Sequence, residues 1–183
     1  MHKAVFLDRD GVINVDHGYV HRIEDFEFVP GALEACASLS AAGYKLIVVT
    51  NQSGIARGYY DEAQFETLSQ WMCAQFEQAG ASIEAVYFCP HHPSKGNAPY
   101  VGDCDCRKPK PGMLLKGARE HNVDLTLSIM VGDKAGDMEA GKSAGVAHTI
   151  MVRSGKKLDD TSGATVVVDD LAKAAEWVLA QIK

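Results

Sequence analysis

Six short apolar runs rich in Val, Ile, Phe and Tyr alternate along the 183-residue chain with segments of helical spacing. No other feature limits the fold as much. The runs occupy residues 4–7, 46–50, 85–89, 129–131, 149–152 and 165–168, and most are followed by Gly, Asp or Pro, the pattern of buried strands that end in turns. Between them, residues 31–42, 61–79, 112–121, 137–144 and 171–182 recur at helical period. Gly43, Gly80 and Gly145 close three of these segments, and Pro111 opens another. Strand–helix alternation predicts an α/β fold, a Rossmann-like parallel sheet with helices on both faces. At this length it predicts one domain, 1–183, and we find no internal repeat, low-complexity tract or linker.

Charge and hydropathy narrow the partners. With 18 Lys and Arg against 24 Asp and Glu, a net charge of -6, the chain is poorly suited to gripping a phosphate backbone, so no nucleic-acid partner is expected. No apolar run approaches the roughly 18–20 residues that span a bilayer, and Met1 leads into a strand rather than a signal-peptide core. The expectation is a cytoplasmic monomer without a membrane partner. Its five cysteines should then be thiols, metal ligands or core residues before they are disulfides.

In parallel sheets, ligands bind outside the carboxyl ends of the strands. Three polar clusters stand there: Asp8-Arg9-Asp10-Gly11, Thr50-Asn51-Gln52-Ser53-Gly54 and Gly132-Asp133-Lys134. Asp8 and Asp10 share a face by the period of two, and close carboxylates are relieved by protonation or by a hard cation. Asp133 completes an oxygen-rich setting suited to Mg²⁺. Thr50 and Lys108 add a hydroxyl donor and a positive charge for an anionic ligand. A phosphate held there can be attacked in line by Asp8.

A second candidate site lies between residues 90 and 111, where Pro, Gly, Asn, His, Cys and Asp follow one another without periodicity. So long an irregular loop calls for a function or a metal clip. Cys89, one histidine, Cys104 and Cys106 form a three-thiolate, one-imidazole set, which is a closed tetrahedral zinc site of structural type. His91 and His92 compete for the fourth place. Clamping the loop there would fix Arg107 and Lys108, which directly follow Cys106. Cys36 and Cys73, among apolar neighbours in helical segments, are assigned to the core.

Asp8-Arg9-Asp10-Gly11, Thr50-Asn51-Gln52, Lys108, and Gly132-Asp133 followed by Asp137 resemble, in that order, the four motifs of haloacid dehalogenase superfamily phosphatases. The resemblance implies that Asp8 is the nucleophile that forms an aspartyl-phosphate. Asp10 would be the general acid and then the general base, with a raised pKa and its side chain off the metal. It further implies that Mg²⁺ takes the Asp8 and Asp133 side chains and the Asp10 carbonyl, that Thr50 and Lys108 hold the transferring oxygens, and that Asp137 orients bound water or Lys134 or simply favours a helix start. Cys-Pro-His-His-Pro and Cys-Asp-Cys-Arg-Lys-Pro resemble the histidinol-phosphatase-like subgroup, which uses the first histidine, here His91.

Only 18 residues separate Gly11 from Pro30, too few for the cap domain that many superfamily members carry, so specificity must come from loops. Asp16 and Tyr19 are expected to meet sugar hydroxyls, with Asn51, Gln52 and Ser53 as further substrate contacts. Arg107, Lys134 and Arg57 are candidates for a second phosphate. These loops resemble those of phosphatases acting at C7 of D-glycero-D-manno-heptose 1,7-bisphosphate, on the way to lipopolysaccharide, with the longer zinc loop of the β-preferring group. The expected substrate is therefore a small-molecule sugar bisphosphate. Histidinol phosphate is the nearest alternative, and an uncapped phosphatase of another ester the next. A zinc-binding module without catalysis predicts a missing nucleophile or lysine, whereas Asp8, Asp10, Lys108 and Asp133 are all present.

Overall fold

A computed structural model describes residues 1–156 and 160–182. The chain runs β1 (Ala4–Leu7), α1 (Ala32–Ala41), β2 (Lys45–Asn51), α2 (Glu62–Gln78), β3 (Ile83–Cys89), α3 (Gly112–Glu120), β4 (Ile129–Gly132), α4 (Ala135–Ala144), β5 (His148–Val152), β6 (Val166–Val168) and α5 (Leu171–Gln181). The strands form one parallel sheet in the order β3-β2-β1-β4-β5-β6. Each expected strand and helix is present, with ends displaced by a residue or two. Short 3-10 turns at Ile23–Asp25 and Leu125–Leu127 carry no periodicity and lay outside the expectation.

Alternation along the strands divides the core. Val5, Leu7, Leu46 and Val48 face one side with Cys36 and Leu39 of α1, Leu68 and Met72 of α2 and Val178 of α5. Phe6, Ile47, Val49 and Met130 face the other with Met113 and Leu114 of α3 and Ala140 of α4. Both faces being covered, the strands are apolar at nearly every position. Cys36 is fully buried and Cys73 is half-buried against the same core.

Local chemistry sets the helix starts. Asp61 accepts from the Gln64 backbone while the Gln64 side chain accepts from Asp61 N–H, a capping box that opens α2. The start of α4 falls two residues ahead of the expected one because the Asp137 carboxylate accepts from the backbone N–H groups of Asp133 and Lys134, extending the helix towards β4.

In this order β1 is central, flanked by β2 and β4, and the chain winds outward from it both ways. A crevice opens at the carboxyl end of the strands where the winding reverses. Between Gly11 and Gly31 the only regular element among the described residues is the Ile23–Asp25 turn, so no cap covers the crevice. Among the described residues no helix is long and apolar enough to cross a membrane.

Candidate active site

Asp8, directly after β1, is 8% exposed, and Lys108 only 6%. Lys108 Nζ reaches Asp8 Oδ1 at 3.0 Å, Asp137 Oδ1 at 2.7 Å and the Val49 carbonyl at 2.9 Å. Burial disfavours its charge, but Asp137 and Asp8 more than offset this and hold the ammonium well above the usual lysine range. Asn51 places it: its side chain donates to the Lys108 carbonyl at 3.2 Å and accepts from the Lys108 N–H at 3.0 Å.

Asp8, Asp133 and Asp137 bring carboxylate oxygens within 4.8 Å of one another. Burial pushes Asp8 well above the ordinary carboxyl value, with Asp137 and Asp133 adding repulsion and Lys108 opposing it. Burial and then Asp137 push Asp133 up to about 6. With all three ionised, one lysine would leave two negative charges uncompensated, which is why the carboxyls resist ionisation. The oxygens also differ in availability. Asp137 spends Oδ1 on Lys108 and Oδ2 on the backbone N–H groups of Asp133 and Lys134, contacts that open the helix and also hold the Lys134 backbone. Asp8 spends Oδ1 on Arg9 N–H and Lys108. Both oxygens of Asp133 are buried without a hydrogen-bond partner among the described residues, and a Cβ at Gly11 or Gly155 would fall 2.4 or 2.1 Å from Asp133 Oδ2. Orphaned carboxylate oxygens in a cluster whose members repel one another when ionised fit a hard divalent cation.

The Asp10 side chain lies off this cluster, as expected, but its protonation is a correction. Burial raises its pKa, yet Arg9 and the hydrogen bonds from Asn14 and Gln52 outweigh burial and hold the carboxyl below its ordinary value rather than above it. Arg9 pairs with Asp10 at 2.9 Å, Asn14 Nδ2 donates at 2.9 Å and Gln52 Nε2 at 3.1 Å. Arg9 was not among the expected site residues. It is 1% exposed, also donates to the Val20 carbonyl at 2.7 Å and lies between the rings of Phe26 and Phe65. Thr50 is buried at the end of β2, and its Oγ1 accepts from Gln52 at 2.9 Å.

A cavity of about 320 Å³ opens above these groups. Asp8, Asp10, Lys108 and Asp137 line its floor, and the expected residues Asp16, Tyr19, Asn51, Gln52, Ser53, Arg107 and Lys134 line its walls. Thr50 and Asp133 stand just behind the surface. Asp16 closes a turn by accepting from Gly18 N–H at 3.0 Å, and Tyr19 follows with φ 51°, which turns its ring over the rim against Tyr59 at 4.8 Å. Arg57 lines the cavity rather than projecting into solvent, with its Nε buried and unpartnered. Tyr60, His92 and Lys156 line it too and were missed. Lys156 was legible, because Arg153-Ser154-Gly155-Lys156 is the polar cluster at the end of β5. Ser154 donates to the Gly11 carbonyl at 2.8 Å, and Lys156 reaches Asp16 at 3.8 Å.

Beside the cavity, Cys89, His91, Cys104 and Cys106 converge. Cys89 Sγ lies 3.5 Å from His91 Nδ1, 3.6 Å from Cys104 Sγ and 2.8 Å from Cys106 Sγ. His92 turns away, its Nδ1 accepting from the Ser94 and Lys95 backbones at 3.2 and 2.9 Å. Three sulfurs and one imidazole with ligand atoms within 4.8 Å of one another fit a soft, tetrahedral cation. The loop closes onto the site: Arg107 donates to the His91 carbonyl at 3.3 Å, and Lys110 to the Cys104 carbonyl at 2.7 Å.

A family model described as HAD-hydrolase-like matches residues 105–174. Over its whole length the chain is 50% identical to D-glycero-beta-D-manno-heptose-1,7-bisphosphate 7-phosphatase of Pasteurella multocida, covering 94% of that protein. It is 47% identical to the protein of the same name in Escherichia coli K12, over 96% of this chain and 87% of that one. The structure of D,D-heptose 1,7-bisphosphate phosphatase from B. bronchiseptica, complexed with magnesium and phosphate, superposes with a TM-score of 0.84 at 35% identity, covering 98% of this chain and 99% of that chain.

Proposed function

The chain belongs to the D-glycero-β-D-manno-heptose-1,7-bisphosphate 7-phosphatases of the HAD-like hydrolases, and on that premise we propose that it removes the C7 phosphate of the heptose bisphosphate to leave heptose 1-phosphate for lipopolysaccharide precursor synthesis. One observation carries the proposal: a single cavity joins a carboxylate–lysine floor to walls bearing Arg57, Arg107, Lys134 and Lys156, charge for one phosphate at the floor and a second at the rim. In this proposal residues 1–183 act as one catalytic domain, a cytoplasmic monomer in which the thiols stay reduced. Its acidic balance argues against a nucleic-acid partner.

Asp8 attacks the phosphorus in line while Lys108 and the Thr50 hydroxyl hold the equatorial oxygens. As the bond from phosphorus to the C7 oxygen breaks, Asp10 gives a proton to the leaving alkoxide and then takes one from the water that opens the aspartyl-phosphate. Arg9, Asn14 and Gln52 keep Asp10 ionised at rest. An incoming phosphate dianion beside it shifts that balance towards the acid, because a like charge disfavours the ionised form. Asp8 and Asp133, with the Asp10 carbonyl, would hold Mg²⁺, which when bound neutralises the phosphate and keeps Asp8 ionised. Asp16 and Tyr19 orient the sugar, Asn51, Gln52 and Ser53 line the path to the floor, and Arg107 and Lys134 meet the second phosphate.

Phosphate release from both anomers, with histidinol phosphate and fructose 1,6-bisphosphate as controls, tests this. The β-anomer should be preferred over each of the others by at least about tenfold in kcat/KM, roughly 1.4 kcal/mol of transition-state discrimination. A preference for histidinol phosphate overturns the substrate assignment.

Zinc in the Cys89, His91, Cys104 and Cys106 set would act at one remove, by holding Arg107 and Lys108. Stripping it with a chelator that spares Mg²⁺ should loosen residues 90–111 and lower kcat on the order of tenfold or more, since small displacements of a positioning group cost about that much. Metal analysis beside the rate checks it, and a zinc-free preparation with full activity counts against the clamp.

A further inference from the structure

We infer that Tyr60 is a positioning residue for the phosphoryl-transfer site, acting through the Gln52 side chain on Asp10 and Thr50; this rests on the phosphatase function proposed above. Tyr60 lies outside the motifs that carry the chemistry. It is 5% exposed and Gln52 is 3% exposed, so neither hydrogen-bonds freely with water. The Asp10 carboxylate, when ionised, only accepts, so the Gln52 amide must turn its NH₂ towards it, and that group donates to Asp10 Oδ2 at 3.1 Å and to Thr50 Oγ1 at 2.9 Å. The amide oxygen then faces the other way, where the Tyr60 hydroxyl donates to it. All three polar contacts of the amide are thus made within the protein.

Two consequences reach the reacting groups. Asp10 receives a third fixed donor besides Arg9 and Asn14, which sets its rotamer. Thr50 Oγ1 accepts from Gln52, and its other contact, the Asn51 carbonyl, is at 3.5 Å, so the hydroxyl hydrogen is available to a phosphoryl oxygen. Without the Tyr60 hydroxyl the buried amide oxygen loses its donor and the amide is held from one side only, so its aim at Asp10 and Thr50 loosens at both together.

Independent contacts confine the ring. A Cβ at Gly54 would fall 2.2 Å from Tyr60 Cε1 and 2.9 Å from its hydroxyl, so the loop after β2 is closed around the ring and admits only glycine. On its other side the His21 ring stacks on it at 4.9 Å, nearly parallel at 6°. Tyr60 therefore locks the loop after β2 to the 16–21 segment while aiming the amide at the chemistry.

The test is a double-mutant cycle of Tyr60→Phe, Gln52→Met and the pair, assayed on the heptose bisphosphate and on p-nitrophenyl phosphate, with melting curves on each variant. Tyr60→Phe should lower kcat on the order of tenfold on both esters while KM moves less than about threefold, and the double variant should be no slower than Gln52→Met alone. Unchanged kcat in Tyr60→Phe, or losses that multiply in the double variant, would overturn the inference. If Tyr60→Phe does not fold, Gln52→Glu decides: its carboxylate still accepts from Tyr60 but has no N–H for Asp10 or Thr50, so it should be slow, and wild-type turnover would overturn the inference. A wild-type enzyme inactive on both esters overturns the phosphatase function itself. Activity shared equally by wild type and Tyr60→Phe overturns Tyr60 alone.

Discussion

Replacing Asp8 by Asn is expected to reduce phosphate release by about 10⁴-fold or more, because an amide cannot form the acyl phosphate and no neighbouring carboxylate takes its place: Asp133 would be engaged as a Mg²⁺ ligand, and the other two are already committed. Asp137 is committed to Lys108 and to two backbone N–H groups, and Asp10 to Arg9, Asn14 and Gln52. The fold should not suffer. The amide oxygen can still accept from Arg9 N–H and Lys108, which now meet Asp8 Oδ1 at 2.9 and 3.0 Å. One of three mutually repelling buried carboxylates becomes neutral, so the melting temperature without added metal should be equal to or above that of the wild type. Rate and melting curve together distinguish a lost nucleophile from a lost fold. Residual activity within tenfold of wild type contradicts the role assigned to Asp8.

Most of this site was legible because strand-end position is a property of the chain itself. Asp8, Thr50 and Asp133 each directly follow or close an apolar run, and parallel topology brings such ends together whatever the intervening helices do. Lys156 obeys the same rule at β5. Arg9 was hidden for a different reason. Strand periodicity points it away from Asp8 and Asp10, but strand geometry stops at Leu7. The next residues curl into a turn in which Ile13 and Asn14 N–H donate to the Arg9 carbonyl and Gly11 takes φ 89°, so neighbours in sequence become partners in space. The acidity of Asp10 was misjudged on the same account, since its environment is made by Arg9, Asn14 and Gln52, which only the folded turn assembles. The choice of His91 over His92 likewise depends on which ring the loop turns inward, and spacing carries no information on that.

Lys108→Ala should damage both stability and turnover, and the two losses should respond differently to metal. Lys108 is the cation that pairs with Asp8 and Asp137 at 3.0 and 2.7 Å in a buried setting. Truncating one member of a buried ion pair costs about 3–5 kcal/mol, because the charges left behind stay desolvated; for a domain of this size that is a fall of roughly 10 °C in melting temperature. Adding Mg²⁺ should restore part of it, since a divalent ion beside Asp8 and Asp133 offsets the same excess of negative charge. Turnover should fall about 10²–10³-fold, the usual cost of removing one preorganised donor to a transferring group, and Mg²⁺ should not restore it. The metal replaces a charge in the cluster, but it does not put an N–H donor where the Asn51 clamp holds Lys108. Melting curves and kcat measured across the same Mg²⁺ titration check both halves, and recovery of turnover in step with stability would show that Lys108 serves only to neutralise its neighbours.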